Sequence, residues 1–176
     1  ELRVLVSGAA GALAAWRLSG GLDSERAKAG KLQVAGGGVR WVEGPPPPGA
    51  GAIWLDGRSS LQADNNPLFD ITGSFTISAW VRTEGAIADI VSKYDWLSGQ
   101  RSFVFGIGGE GDKNGVPGHL FAWVSSKAEA WNGAQVHSSI AVNDGRWHHV
   151  AFVFDAGKAL KLHIDGKLDS KAKLIG

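Results

Sequence analysis

The sequence predicts an all-β fold, a two-sheet antiparallel β-sandwich, on three observations. Apolar and polar residues alternate with a period of two along much of the chain. Gly, Asn, Asp and Pro interrupt that alternation at short intervals, and no window carries the apolar stripe of an amphipathic helix. Such strands must bury their apolar sides against a facing layer. A chain of 176 residues suits one domain and can bury that layer without staples. It contains no cysteine, which excludes a disulfide framework and a thiolate zinc site. Its 18 Lys and Arg against 17 Asp and Glu are dispersed, for a net charge of +1. No basic stripe points to a nucleic acid.

Residues 1–12 read as an N-terminal lead-in and residues 13–176 as the sandwich domain. The opening LRVLVSGAAGALAAW is apolar, but too short and too rich in glycine and alanine for a membrane span, which needs about 20 apolar residues. Its Ala-Leu-Ala resembles a signal-peptidase site, yet Trp16 and Leu18 read better as inward positions of a first strand. With no methionine and Glu1 at its head, the sequence is expected to be a processed or excised piece. LDSERAKAG favours helix by composition but has no apolar stripe, so it is expected as loop with one turn. GPPPPG, at residues 44–49, is expected to join strands over the surface and not to separate domains.

Alternation is clearest in SFTISAWVR, where Phe75, Ile77, Ala79 and Val81 share one face and Thr76, Ser78, Trp80 and Arg82 the other. SFVFGI repeats it with Phe103, Phe105 and Ile107. In HLFAWVSS, Leu120, Ala122 and Val124 lie opposite Phe121 and Trp123, which predicts a central strand covered on both faces. LKLHIDGKLDS turns Leu160, Leu162 and Ile164 inward, then reaches Asp165-Gly166, a pair suited to the positive φ angles of a tight hairpin.

Few motifs carry chemistry. Gly106 to Gly111 fit G-x-G-x-x-G after a strand, but DKNGVPG follows and cannot start the helix that a pyrophosphate needs, so a glycine-rich hairpin loop is expected. No nucleophile elbow, zinc helix or complete EF-hand loop is present. The six glutamates, Glu1, Glu25, Glu43, Glu84, Glu110 and Glu129, never stand two or four apart, which argues against paired carboxylates on one strand. In WHHVAFVFD, period two sends Trp147, His149, Ala151 and Val153 to one face and His148, Val150, Phe152 and Phe154 to the other. Adjacent histidines on opposite faces cannot share a metal. They are expected to serve the fold, with half-buried His149 bonded to a loop carbonyl and locking a turn against the sheet.

DGRWHHVAFVFD followed by KALKLHIDGKL resembles the signature of laminin-G-like, concanavalin A-like jelly-roll domains, in which a D-G-x-W-H-H-V-A strand precedes one ending in x-D-G. LAAWRL resembles the family's opening strand, AIWLDGRSSLQA its F-D-G strand, and GSFTISAWVR with DIVSKYD its central pair. The resemblance runs from about Leu13 to near the end of the sequence. It implies a noncatalytic lectin-like module of a larger exported protein, placed outside the cell, at its surface or in the periplasm, that binds a glycan or a neighbouring protein domain. The alternative is a purely structural assembly domain, accessory to an enzyme or a cytochrome-like protein.

Two departures from the family pattern bear on this. Its closing strand, F-x-G-x-I-D-E-V-x-I, has no counterpart before Gly176. The domain is therefore expected to be C-terminally truncated, with an open position that the missing segment or another chain completes by strand addition. Members that bind calcium take oxygen ligands from loops at one rim, which makes Asp56 a candidate calcium ligand, with a turn-forming role as the alternative. No other cofactor is implied. Tyr94, Trp96 and Trp131 are the loop aromatics on which a sugar face could stack, with core filling as the alternative.

Overall fold

The computed structural model describes residues 2–8, 11–46, 51–95, 100–108, 115–125 and 133–174. The first strands are β1 (Leu2–Gly8), β2 (Gly11–Trp16), β3 (Gln33–Ala35), β4 (Val39–Glu43), β5 (Gly51–Leu55), β6 (Ser60–Gln62) and β7 (Phe75–Val81). There follow β8 (Ala88–Asp95), β9 (Gln100–Ile107), β10 (His119–Ser125), β11 (Gly133–Ala141), β12 (His148–Asp155), β13 (Ala159–Ile164) and β14 (Lys167–Lys173). They form a six-stranded sheet in the order β14-β13-β12-β7-β1-β2 and a four-stranded sheet in the order β11-β10-β9-β8. Two ribbons, β3 with β6 and β4 with β5, complete the fold. Every named pairing is antiparallel. Helix among the described residues is limited to two 3-10 turns, Ala27–Ala29 and Pro67–Phe69. The first falls within LDSERAKAG, as expected there.

Alternation becomes burial as anticipated. Phe75, Ile77, Ala79 and Val81 of β7 join Val150 and Phe152 of β12 and Leu160, Leu162 and Ile164 of β13 in one core with Phe103, Phe105 and Ile107 of β9. Trp16 and Leu18 belong to it too. Phe152 is the hinge between layers: its ring meets Phe75 edge-on at 5.6 Å and Phe105 from the opposite sheet at 5.9 Å. Truncating a fully buried phenylalanine of this kind costs about 3–5 kcal/mol. β10 is an interior strand, and Trp123 on its outer side is also buried. Glycine makes that outer face possible, because a Cβ on Gly106 would come within 2.7 Å of the Phe121 ring and one on Gly133 within 2.4 Å of the Trp123 indole.

Two expectations need correcting. Residues 2–8 do not merely lead in: β1 pairs with β7 over all seven residues, from Leu2 opposite Val81 to Gly8 opposite Phe75, and with β2 on its other side. β1 thus lies inside the six-stranded sheet, whose edges are β14 and β2. Asp169 of β14 ties the first of those edges to β11 by accepting from the Ser139 backbone N–H at 2.7 Å and its hydroxyl at 2.6 Å. Finally, β7 and β8 are not a central pair. The link at 82–87 crosses between layers, so β7 is interior to one sheet and β8 is an edge of the other. Alternation fixes which face a residue takes and says nothing about which strand lies beside it.

GPPPPG falls in sequence between β4 and β5; Pro45 is buried and Pro46 at the surface, and 47–49 lie outside the described residues. The G-x-G-x-x-G run begins on β9, and Gly108 donates its N–H to the His119 carbonyl at 2.8 Å, so its described part is the start of the connection to β10. The remainder, 109–114, lies outside the described residues.

Candidate functional site

Two Asp-Gly turns meet at the start of β12. In the first, Asp144 Oδ1 accepts the Arg146 backbone N–H at 3.0 Å, while Oδ2 takes the guanidinium through Nε at 2.6 Å and Nη2 at 2.5 Å. Gly145 sits at φ 76°, a left-handed geometry that favours glycine, and donates to the Thr83 carbonyl at 3.0 Å. In the second, Asp165 and Gly166 at φ 50° and 78° make the two-residue hairpin between β13 and β14 that the sequence predicts. Asp165 also turns back onto β12. Its N–H donates to the His149 carbonyl at 2.8 Å, and its Oδ1 accepts the His149 N–H at 3.0 Å.

His148 closes the space between these turns. It is 7% exposed, with Nδ1 at 2.9 Å from Asp165 Oδ2 and Nε2 at 3.1 Å from Asp144 Oδ1. Carboxylate oxygens only accept, so both ring nitrogens must donate, and the imidazolium is the form this geometry holds. Burial acts to lower the His148 pKa, but the bonds to Asp165 and Asp144 outweigh it and the net shift is upward. Asp144 is held well below the usual carboxylate range, first by the Arg146 side chain and then by its backbone N–H. The fold-holding histidine is thus His148, and the assignment to His149 is corrected. Period two already sets His148 beside Val150 and Phe152. The sequence does not reveal that two aspartates, one before and one after it, would close on the ring.

The outer side of the same corner is open. A shallow depression of about 520 Å³ is lined by Trp80, Arg82, Gly145, Arg146, Trp147 and Asp165, with Pro46 at its margin. Trp80 and His149 are cross-strand partners whose rings lie 5.3 Å apart. Burial lowers the His149 pKa, which favours the neutral ring. Arg82 holds its guanidinium carbon 5.6 Å from the centre of the Trp147 ring. Among the described residues, no carboxylate pairs with Arg82. Two indoles with polar groups at their edges make an amphipathic surface of the kind that stacks on the apolar face of a sugar ring.

The aromatics singled out from the sequence lie elsewhere. Tyr94 lies near the end of β8, an edge of the four-stranded sheet, and is not among the residues lining the depression. There its half-buried ring meets Trp123 edge-on at 6.1 Å. Trp96 and Trp131 lie outside the described residues. Asp56 shapes a turn: its Oδ1 accepts from the Arg58 N–H at 2.9 Å and the Ser59 hydroxyl at 2.8 Å, and the Arg58 backbone bond leads in lowering its pKa. Asp56 Oδ1 is thus engaged within the turn, and no group of three or more His, Asp or Glu side chains among the described residues converges as a metal-binding set. Trp80 had a signal in the sequence, since it shares the polar side of its strand with Thr76, Ser78 and Arg82, an unusual place for a large apolar ring, whereas Trp147 precedes β12 and had none.

A family model for the concanavalin A-like lectin/glucanases superfamily, Laminin_G_3, matches residues 55–176. No curated protein matches the chain. Among solved structures, it is similar to the binding domain of Paraclostridial Mosquitocidal Protein 1, with a TM-score of 0.60 and 16% identity over 97% of this chain and 39% of that one. It is also similar to the binding domain of botulinum neurotoxin DC in complex with rat synaptotagmin II, with a TM-score of 0.59 and 14% identity over 91% and 38%. A third is a structure of botulinum neurotoxin type C, which depends upon interaction with two ganglioside molecules to enter cells, with a TM-score of 0.53 and 15% identity over 83% and 35%. At these identities the likeness is one of fold, and this chain spans well under half the length of each of those chains.

Proposed function

Because this chain belongs to the concanavalin A-like lectin and glucanase superfamily, we propose that it is a noncatalytic recognition module of an exported protein and binds carbohydrate on the Trp80–Trp147 face. The observation that carries the reading is the open depression in which two indoles, two guanidinium groups and a carboxylate are presented together. Sugars are held by this combination of flat apolar rings and fixed polar groups. The ganglioside interaction of botulinum neurotoxin type C agrees with it, as a property of a protein with this fold.

The same surface argues against a glycanase. Both glycosidase mechanisms need a pair of carboxyls flanking the scissile bond. Asp165 is the one carboxylate among the residues lining the depression, and its two oxygens are taken by the His148 ring and the His149 N–H.

A glycan array followed by titration of tryptophan fluorescence tests the reading. A saccharide should quench the wild-type signal saturably, and Trp147→Ala should abolish binding while keeping the thermal transition. A folded wild type that takes no saccharide would sink it. So would a Trp147→Ala variant that binds unchanged. Docking to a neighbouring protein domain is the second reading, favoured by Trp41 and Trp54, 44% and 37% exposed on the β4–β5 ribbon. It predicts that Trp41→Ala weakens association with the adjoining domain and leaves sugar binding intact.

A further inference from the structure

We infer that the saccharide residue seated in this depression carries a carboxylate on its ring, as a uronic or sialic acid does, and that Arg82 selects it. The inference rests on the glycan reading above and names the class of sugar.

It follows from how the charges around the depression are already spent. Arg146 gives its guanidinium to Asp144 through two contacts. Asp165, the acidic member of the lining, has one oxygen on the His148 ring and the other on the His149 N–H. The Glu84 carboxylate lies near Gly145 and outside the lining. Arg82 alone in the lining keeps a charge with no carboxylate beside it among the described residues. Its planar fork of donors suits the two oxygens of a carboxylate, a match that a lysine ammonium does not reproduce.

A comparison within the molecule sharpens the point. On the β4–β5 ribbon Arg40 stacks on Trp54 with its guanidinium carbon 3.9 Å from the ring centre, so that cation is committed to the indole. Arg82 stands 5.6 Å from Trp147, near the outer limit for a cation–π contact and too far for a close stack. Arg82 and Trp147 can therefore meet one sugar together, the ring face on the indole and the acid on the guanidinium.

Calorimetric titration of the folded chain with four probes tests this. They are a glucuronate-terminated disaccharide, an N-acetylneuraminate-terminated trisaccharide, the methyl ester of whichever binds, and a disaccharide whose one charge is a sulfate. The carboxylate sugar should bind at least tenfold more tightly than its ester. Arg82→Gln should erase that preference by bringing the acid to the affinity of its ester, and Arg82→Lys should restore only part of it. The two acid sugars distinguish the source of the carboxylate. Equal affinity for acid and ester, or a preference that survives Arg82→Gln, overturns the assignment to Arg82 and leaves the glycan reading standing. A sulfated probe that matches the carboxylate overturns the carboxylate assignment. If every glycan, charged or neutral, fails to bind the folded chain, both readings fall.

Discussion

On the inner side of the start of β12, His148 is sealed between Asp144 and Asp165, whereas on the outer side Trp147 and His149 open with Trp80 onto a shallow depression. The two sides use the same two turns. Asp165 bonds the inner ring with one oxygen and stands in the wall of the outer depression. Gly145 and Arg146 belong to the loop that Asp144 organises and also to the lining. The difference is one of commitment: inside, both nitrogens of the His148 ring have a carboxylate acceptor, and outside, the Arg82 guanidinium has no carboxylate among the described residues. The residues that carry the family signature thus act chiefly as a clamp, and the surface available to a ligand is what the clamp holds in place.

Breaking the inner side should give the larger effect on stability. His148→Ala would leave Asp144 and Asp165 facing one another without the imidazolium. We expect a loss of about 2 kcal/mol, above that of one ordinary hydrogen bond and below that of a fully sealed ion pair, because both carboxylates reach solvent. The midpoint of urea unfolding measures it. A variant as stable as the wild type would mean that the clamp contributes no stability. His149→Ala should cost less, since it loses a contact with Trp80 and keeps the backbone bonds to Asp165.

On the outer side, Trp147→Ala should remove saccharide binding at a cost in stability of about 1 kcal/mol, typical of a half-buried site outside the core. Fluorescence titration and thermal melting on the same sample separate the two effects. If Trp147→Ala unfolds the chain and His148→Ala abolishes only binding, the assignment of the two sides is reversed.

Acidity sharpens the comparison, because the adjacent histidines respond in opposite directions. The folded pKa of His148 is raised, so its contribution is complete below the ordinary value of about 6.5 and is lost as pH rises through the folded value. The folded pKa of His149 is lowered, so its contribution is complete above about 6.5 and is lost as pH falls through the folded value. The histidine part of the stability should therefore peak near pH 6.5. Substituting His148 with Gln should flatten the alkaline side of that peak, and substituting His149 with Phe the acidic side. Unfolding midpoints between pH 5.5 and about 8 would show it. Equal slopes in wild type and both variants would remove the two rings from the account.

Much of this fold is legible in the sequence because period two and Asp-Gly turns act locally. Phe75 to Val81 and Leu160 to Ile164 bury the residues that alternation selects, and Asp165-Gly166 takes the positive φ angles expected of it. Lateral order is not local. Nothing in LRVLVSG tells it to lie between β7 and β2, and nothing in DIVSKYD sends it to the other sheet. The site fails to read for the same reason. Trp80 and Trp147 are 67 positions apart and become neighbours only because β12 pairs with β7 in the register that sets His149 opposite Trp80. Tyr94 stands out in the sequence for its position near a loop, which carries no information about which end of the sandwich that loop occupies.

The smallest effect should come from the third Asp-Gly turn, the one with no histidine. Gly57 shares the left-handed geometry of Gly145 and Gly166, at φ 78°, and Asp56 binds its own turn as Asp144 does. No ring closes on Asp56, however, and its partners are a backbone N–H and a serine hydroxyl near the surface. Asp56→Ala should therefore lower the melting temperature only slightly, well short of the loss for His148→Ala. A calcium site takes six to eight oxygens, and Asp56 Oδ1 already accepts two hydrogen bonds within its own turn. Adding calcium or a chelator should move the melting temperature of wild type and Asp56→Ala alike, by amounts within error. Calcium that stabilises the wild type and not Asp56→Ala would make Asp56 a metal ligand, with the remaining oxygens supplied by groups other than clustered carboxylates. It would also move a functional site to a turn that the clamp does not hold, which is the outcome most damaging to the comparison between the two sides of β12.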